Sequence, residues 1–206
     1  LGNIWIGTFN GLNRYDKSTG LFQNHTASDA QSDGLTHSSI WCIVKDNQGT
    51  LWLGTYFGGV NYFNPEYEIY SRYMYSPIEK KGLSNPVVGR TIEDKNGNLW
   101  IGTEGGGLNY YNRRTREFKW FRPGSGPNSI SHNNIKALYY DASKDIIWIG
   151  THLGGLNRLD IHSGRFTHYR MEADNPETLP SDIIRDIVPY QHQLVVATQN
   201  GICLFD

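Results

Sequence analysis

The side chains best suited to bind a ligand recur at one place in this sequence, directly after each segment of the form Trp-Ile-Gly-Thr. The segment itself changes little, but the two residues that follow its threonine differ every time. Variable residues on a repeated frame are typical of binding loops, because their side chains are not needed for packing. We therefore predict ligand contacts from Tyr56, Phe57, Glu104 and His152.

Two further groups of candidates lie before these segments. The loops that lead into the first strand of each repeat supply three residues able to exchange hydrogen bonds, His37, Asn85 and Asn133. The first strands themselves supply Trp41, Arg90 and Arg185, and both arginines are expected near the axis of the fold. An arginine fork beside aromatic faces suits an acidic or hydroxyl-rich ligand, such as a uronic acid or a sulfated sugar.

Each group of candidates also has a structural alternative. Arg90 and Arg185 could satisfy carbonyl groups or an aspartate inside the central channel. The aromatic residues could pack between neighbouring repeats. The charged residues after the threonines could be ordinary solvated loop residues. The sequence leaves these alternatives open.

Motifs for catalysis or metal binding are absent from the sequence. The seven histidines form no HExxH or HxH pattern, and there is no GxSxG elbow. The segment from Asp94 to Asn98 is similar to a calcium loop, but Gly105 stands where the twelfth-position glutamate belongs, so a hairpin turn is favoured. We predict no catalytic residue, no metal ligand and no cofactor.

The elements that position the candidates are short repeated strands. Segments like Trp-Ile-Gly-Thr begin at positions 5, 52, 100, 148 and 195, an interval of 47 or 48 residues. Each interval contains four β-branched or aromatic runs separated by turns rich in Gly, Asn and Asp. Four antiparallel strands per repeat are typical of a β-propeller blade. The sequence therefore predicts an all-β fold, an arc of about five blades or part-blades.

The expected domain is a single propeller segment that covers residues 1–206. Its predicted repeats are 1–32 (partial), 33–80, 81–128, 129–176 and 177–206 (partial). The chain is expected to begin inside the turn before a second strand and to end after a third, as part of a larger propeller. The glycine of each Trp-Ile-Gly-Thr segment is expected to allow close approach of the adjacent blade.

The charge balance excludes one class of partner. The chain has 19 basic and 20 acidic residues and a formal net charge of −1, with no basic stripe that could follow phosphates. Nucleic acid is therefore not expected as a partner.

Four motifs together resemble the two-component regulator propeller repeat. They are Trp-Ile-Gly-Thr, the Gly-Gly-Leu-Asn after it, the Asp-x-x-Gly-x-Leu-Trp turn before it and the Leu-Ser-x-Asn that leads into the first strand. Residues 83–112 and 130–160 match best. The fifth repeat departs from the pattern, with Val195 in place of Trp, Ala197 in place of Gly and Pro189 in place of the turn Asp.

The resemblance implies a periplasmic sensor region of a hybrid two-component system, known best from gut Bacteroidetes. Such regions usually contain seven-bladed propellers, then a further β-domain, a membrane helix and a histidine kinase. They detect a glycan breakdown product, so an oligosaccharide or another small ligand is the expected partner, alongside the remaining blades and β-domain of the same chain. A homodimer is expected for the full protein, and this segment itself is expected not to be an enzyme.

Two other functions remain open on the sequence. The first is a structural or dimerisation module whose ligand binds elsewhere, with Tyr70, Tyr73 and Tyr75 as an exposed aromatic edge. The second is a propeller lyase or glycosidase, which only the fold would suggest.

Overall fold

The computed structural model describes residues 3–27, 34–64 and 69–205, and it confirms the all-β prediction. Over these residues the chain forms five antiparallel sheets and one short 3-10 turn, Glu79–Lys81. The predicted repeat boundary between residues 32 and 33 lies outside the described residues. The strands are β1 (Ile4–Thr8), β2 (Gly11–Tyr15), β3 (Phe22–His25), β4 (Ile40–Lys45), β5 (Leu51–Thr55), β6 (Val60–Asn64), β7 (Ile69–Tyr73), β8 (Val88–Glu93), β9 (Leu99–Thr103), β10 (Leu108–Asn112), β11 (Glu117–Phe121), β12 (Ile135–Asp141), β13 (Ile146–Thr151), β14 (Leu156–Asp160), β15 (Arg165–Tyr169), β16 (Ile184–Tyr190), β17 (Gln193–Thr198) and β18 (Gly201–Phe205).

Each sheet is a meander of consecutive strands, and we number the sheets as blades one to five. Blade one contains β1 to β3, blade two β4 to β7, blade three β8 to β11, blade four β12 to β15 and blade five β16 to β18. Neighbouring blades contact each other through their first strands, β4, β8, β12 and β16. These strands are therefore the innermost ones, as in a propeller.

The glycine of each Trp-Ile-Gly-Thr segment makes room for the next blade. A Cβ placed on Gly102 would lie 2.6 Å from Cγ2 of Ile135, the first residue of the next inner strand. The same contact recurs between Gly150 and Ile184, at 2.5 Å. The predicted close approach is confirmed, and the atom that approaches belongs to a β-branched side chain.

The asparagine after the paired glycines joins two loops of its own blade. Asn109 is fully buried. Its Oδ1 accepts from the backbone N of Ser84 at 2.8 Å, and its Nδ2 donates to Ser84 Oγ at 2.8 Å. Asn61 and Asn157 form the same pair of bonds in blades two and four. The Gly-Gly-x-Asn motif is thus used to hold the loops together.

The turn aspartate and the tryptophan form a second structural pair. Asp94 Oδ1 accepts from the backbone N of Asn96 and of Asn98 at 2.9 and 3.0 Å, and Trp100 Nε1 donates to Asp94 Oδ2 at 3.1 Å. Asp46 and Trp52 are arranged in the same way, with an Nε1 to Oδ2 distance of 2.8 Å. The recurring residues of the sequence therefore build the blades, and functional residues must be sought among the variable ones.

Candidate functional site

The variable residues converge at one end of the blades. In four blades, the residue after the threonine donates its backbone N–H to the loop that leads into the first strand, over 2.9 to 3.0 Å. We call this end the axial rim. It consists of the loops after the threonines (9–10, 56–59, 104–107, 152–155 and 199–200), the leading loops (36–39, 84–87, 131–134 and 181–183) and the bulged residue of each first strand.

A β-bulge at the start of each first strand brings one extra side chain to the axial rim. The pairing with the second strand shifts at the same place in blades two to five, so that one residue per blade has no partner across the ladder. A bulge of this kind changes the direction of a side chain. The bulged residues are Trp41, Gly89, Lys136 and Arg185.

The repeat spacing predicts that Arg185 is the counterpart of Arg90 in blade five. This prediction is wrong by one residue. Ile184 pairs with the threonine of its blade as Val88 does in blade three, so Asp186 is the counterpart of Arg90. Arg185 is instead a bulged residue, and its Nη2 donates to Gln199 Oε1 at 3.3 Å. The shift arises because the hairpin from β16 to β17 is one residue shorter than those of blades two and three.

The side chains of the leading loops mostly close turns in their own loops. His37 Nδ1 accepts from the backbone N of Ser39 at 3.0 Å, and Asn85 Oδ1 accepts from that of Val87 at 2.8 Å. In blade four this position is occupied by His132, whose Nδ1 accepts from the backbone N of Asn134 at 3.0 Å. The repeat spacing predicts Asn133 at this position, which is wrong by one residue.

Asn133 lies one residue further along, and its carbonyl accepts from the backbone N–H groups of Gly105 and Gly107 at 3.3 and 2.8 Å. Its Oδ1 is buried and has no hydrogen-bond partner within the part of the chain that the structure describes. Asn133 is therefore the leading-loop candidate with unused hydrogen-bonding capacity.

Blade two carries an aromatic platform, which consists of Trp41, Tyr56 and Phe57. The rings of Trp41 and Tyr56 stack with centroids 5.0 Å apart and 14° between their planes, and Phe57 meets Tyr56 edge-on at 4.3 Å. Tyr56 and Phe57 are 37% and 56% exposed. Packing with the neighbouring residues therefore leaves much of both rings open to a ligand.

Blade three leaves a gap beside this platform. It has Gly89 as its bulged residue and Gly105 as the second residue after its threonine, so it presents no side chain where its neighbours present large ones. We call this gap the notch. Arg90 follows Gly89, is exposed, and has no ion-pair or hydrogen-bond partner among the residues described.

Charged and histidine side chains form the other wall of the notch, on blade four. Lys136 makes an ion pair with Glu104 of blade three. The rings of His132 and His152 lie 6.2 Å apart. Burial, together with the charge of His152, holds the pKa of His132 below its ordinary value, so the ring stays neutral near pH 7.

Two exposed apolar residues of the axial rim are held in left-handed backbone conformations. Phe57 has φ 68° and Leu153 has φ 74°, while Gly105 with φ 107° occupies the same position in blade three. A bulky residue in this region costs about 1–2 kcal/mol. Both side chains are more than half exposed, so burial does not compensate for this strain. Strain of this kind is typical of functional sites. Sequence reasoning did not select Leu153, because residue types alone do not reveal φ.

The aromatic edge considered for dimerisation is only partly exposed. Tyr73 packs against Trp52 and Tyr111, with ring centroids 5.8 and 4.7 Å away. Tyr75 is 51% exposed, and the side chain of Tyr70 lies outside what the structure describes. The described residues contain no cluster of His, Cys, Asp or Glu that could hold a metal ion.

The expected resemblance is confirmed by a family model. Residues 34–57 and 82–105 match the model of the two component regulator propeller. No curated protein matches the sequence. Across the described residues, no helix has the length and apolar character needed to traverse a bilayer.

Solved structures with the same fold include bacterial extracellular and surface proteins. The extracellular domain of a hybrid two component system from B. thetaiotaomicron matches with a TM-score of 0.79 and 25% identity, over 98% of this chain and 26% of that one. A second such domain from B. thetaiotaomicron matches with a TM-score of 0.85 and 21% identity, over 100% and 27% of the two chains. PorZ, a surface component of the type-IX secretion system of Porphyromonas gingivalis, matches with a TM-score of 0.71 and 21% identity, over 98% and 30%. The chain thus spans about a quarter of the length of the two extracellular domains.

Proposed function

We propose that this chain, which carries two component regulator propeller repeats, is a segment of the sensor propeller of a hybrid two-component system. Its axial rim binds an oligosaccharide released from a larger glycan. The sensor region lies in the periplasm, contains further blades and a β-domain, forms a homodimer and signals to a histidine kinase. The likeness to extracellular domains of such systems supports this context.

The observation that carries the binding role is the aromatic platform beside the notch. Exposed faces of Tyr56 and Phe57 suit the apolar face of a sugar ring, because aromatic rings supply rigid contact area and Tyr adds a polar group. Gly89 and Gly105 present no side chain at positions where the neighbouring blades present large ones. Strain at Phe57 and Leu153 supports a role in binding, because more than half of each side chain is exposed and burial does not compensate for the strain.

The charges around the notch favour an acidic or hydroxyl-rich oligosaccharide. Arg90 is exposed beside Gly89 and is free to pair with a carboxylate or sulfate group. Glu104 and Lys136 already neutralise each other, and with hydroxyl groups Glu104 can accept and Lys136 can donate hydrogen bonds. We propose binding rather than turnover as the role of this arrangement, since Glu104 is the only carboxylate that these contacts place in the notch.

A thermal-shift screen of the chain against neutral and acidic oligosaccharides from plant and host glycans tests the proposal. We expect at least one acidic oligosaccharide to raise the melting temperature. In calorimetry with that oligosaccharide, Tyr56→Ala and Arg90→Ala should each weaken binding roughly tenfold or more, since each removes a direct contact.

Matched controls lie away from the axial rim. Tyr190 is 52% exposed at the far end of β16, and Arg72 is exposed on the outer strand β7. Tyr190→Ala and Arg72→Ala should leave the affinity unchanged. Binding that survives both rim substitutions would contradict the proposed site, and the absence of a shift with every oligosaccharide would contradict the glycan as ligand.

A further inference from the structure

A groove between blades two and three lies at the opposite end of the strands from the axial rim. Its volume is about 480 Å³, within the usual range for small-molecule sites. The residues that line it and matter here are Trp52, Tyr62, Tyr73, Tyr111, Arg113 and Arg116. None of them belongs to the site proposed above.

The aromatic wall of the groove retains one hydroxyl hydrogen for a ligand. The hydroxyl oxygens of Tyr73 and Tyr111 lie 2.7 Å apart, so one donates to the other. Burial, and to a lesser extent the hydrogen bond with Tyr73, raises the pKa of Tyr111. The Tyr111 hydroxyl therefore stays protonated at neutral pH. The pair therefore has two hydrogens and one internal hydrogen bond, which leaves one O–H free to donate.

One of the two arginines that line the groove has no carboxylate partner. Arg113 is held by Asp46 and by Glu93, whose Oε1 lies 3.3 Å from Nη1, and it lies 4.9 Å from the ring centroid of Trp52. Two carboxylates thus neutralise Arg113. The side chain of Arg116 is exposed and has no ion-pair or hydrogen-bond partner in the described ranges. The guanidinium of Arg116 is therefore available to pair with an incoming anion.

The backbone of Arg116 indicates that the fold does not require an arginine there. Arg116 has φ 58°, and its N–H donates to the carbonyl of Asn112 at 2.8 Å. Gly20 and Gly164 hold the same place in the corresponding turns of blades one and four, with φ 72° and 68° and the same hydrogen bond. Glycine adopts this conformation without strain, whereas arginine does not.

We propose that this groove binds a small organic monoanion, a carboxylate or sulfate group carried on a hydroxylated ring. Arg116 pairs with the anionic group, and the one free O–H of the Tyr73 and Tyr111 pair donates to an oxygen of the ring. The aromatic walls exclude water from one side of the ring, which strengthens the ion pair. The site is separate from the axial rim and does not depend on the oligosaccharide proposed there.

Titration calorimetry of the chain with D-glucuronate tests this site, with D-glucose as the uncharged comparison. We expect glucuronate to bind and glucose to bind at least tenfold more weakly, since the charged hydrogen bond is lost. Arg116→Gly should weaken glucuronate binding by a similar factor. Its melting temperature should equal or exceed that of the unmodified chain, because glycine relieves the left-handed strain.

Arg114→Ala is the matched control, because Arg114 is an exposed arginine in the same turn and its loss changes the net charge equally. We expect this variant to bind glucuronate within about twofold of the unmodified chain. Equal weakening by both substitutions would overturn the proposal in favour of general charge attraction. An unmodified chain that binds neither glucuronate nor inorganic sulfate, or an Arg116→Gly variant that binds normally, would overturn it as well.

Discussion

Asp46 uses both of its carboxylate oxygens in contacts within and between blades. Oδ1 accepts from the backbone N of Gln48 and of Thr50, each at 2.9 Å, while Oδ2 accepts from Trp52 Nε1 and from Arg113 of blade three. Burial alone would raise the pKa of Asp46, but these hydrogen bonds outweigh it and hold the pKa below the ordinary value of 3.8.

Asp46→Asn should therefore lower stability in a pH-dependent way. A depressed pKa in the folded state stabilises the protein above the ordinary value, and this stabilisation is lost as the pH falls through the folded-state pKa. We expect the variant to lose about 1–3 kcal/mol of unfolding free energy near pH 7, and the difference to shrink below about pH 4. Urea unfolding from pH 2.5 to 7 measures this.

Asp174→Asn provides the control, because Asp174 is exposed and none of the described contacts involves its carboxylate. It should unfold like the unmodified chain at every pH. A pH-independent loss in Asp46→Asn would show that the charge of Asp46 does not stabilise the fold.

Phe57 is a residue at which stability and binding are expected to oppose each other. Because Phe57 is 56% exposed and has φ 68°, Phe57→Gly should raise the unfolding free energy by about 0.5–1 kcal/mol. The same substitution should weaken oligosaccharide binding at the axial rim. Thermal unfolding and calorimetry of one variant measure both effects.

Leu21→Gly is the comparison, since Leu21 is 68% exposed but is not among the residues with positive φ. This variant should lose about 0.5–1 kcal/mol, because glycine adds freedom to the unfolded chain without relieving strain. If Phe57→Gly is destabilised as much as Leu21→Gly, the left-handed backbone of Phe57 is not strained.

At the scale of single elements, the contact between a glycine and a β-branched residue sets the spacing of the blades. Ile135 fills the space that Gly102 leaves, with distances of 2.6 and 2.8 Å from its Cγ2 and Cβ to a Cβ at position 102. Gly102→Ala should therefore destabilise the chain by about 1–3 kcal/mol through overpacking. Chemical denaturation provides the measurement.

Gly126→Ala should leave stability almost unchanged, because a Cβ there meets nothing within 4 Å. The double variant Gly102→Ala with Ile135→Ala should lose less than the sum of its single losses, since Ile135→Ala removes Cγ2, the nearer of the two overlapping atoms. If the losses of the two single variants add fully in the double variant, the cost of Gly102→Ala does not arise from its contact with Ile135.

At the scale of the whole molecule, the chain is a linear array in which each blade is stabilised by its neighbours. Blades two, three and four have a blade on both sides, whereas within this chain blades one and five have one neighbour and expose apolar residues such as Ile6 (39%) and Ile202 (70%). Stability in such arrays is roughly a sum of intrinsic and nearest-neighbour terms.

Amide hydrogen exchange should reveal this gradient. We expect the slowest exchange in β9 and β13 and the fastest in β1 to β3, because local opening is easiest where neighbouring contacts are fewest. Peptide-level mass spectrometry of the chain would measure it. Uniform exchange across all five blades would mean that the array opens as one cooperative unit.

The candidate site could be located from the sequence, but its contacts could not. The position after each threonine correctly indicated the axial rim, because strand alternation and a regular period place those loops at one end. The ion pair between Glu104 and Lys136 was missed, since it joins two blades and residue spacing within one repeat does not reveal it. The ligand contacts themselves stay predictions.

The sequence by itself determined the all-β fold and its four-stranded unit, because glycine, turn and apolar residues recur at a nearly constant interval. Only the tertiary structure decided which residues share a position. Because the hairpin of blade five is shorter by one residue, Asp186, and not Arg185, occupies the position that Arg90 has in blade three. The tertiary structure also decided that Phe57, Leu153 and Arg116 have left-handed backbone conformations. The physical reason is that strand register and φ are set by hydrogen bonds between strands and between blades, which residue spacing along one chain does not specify.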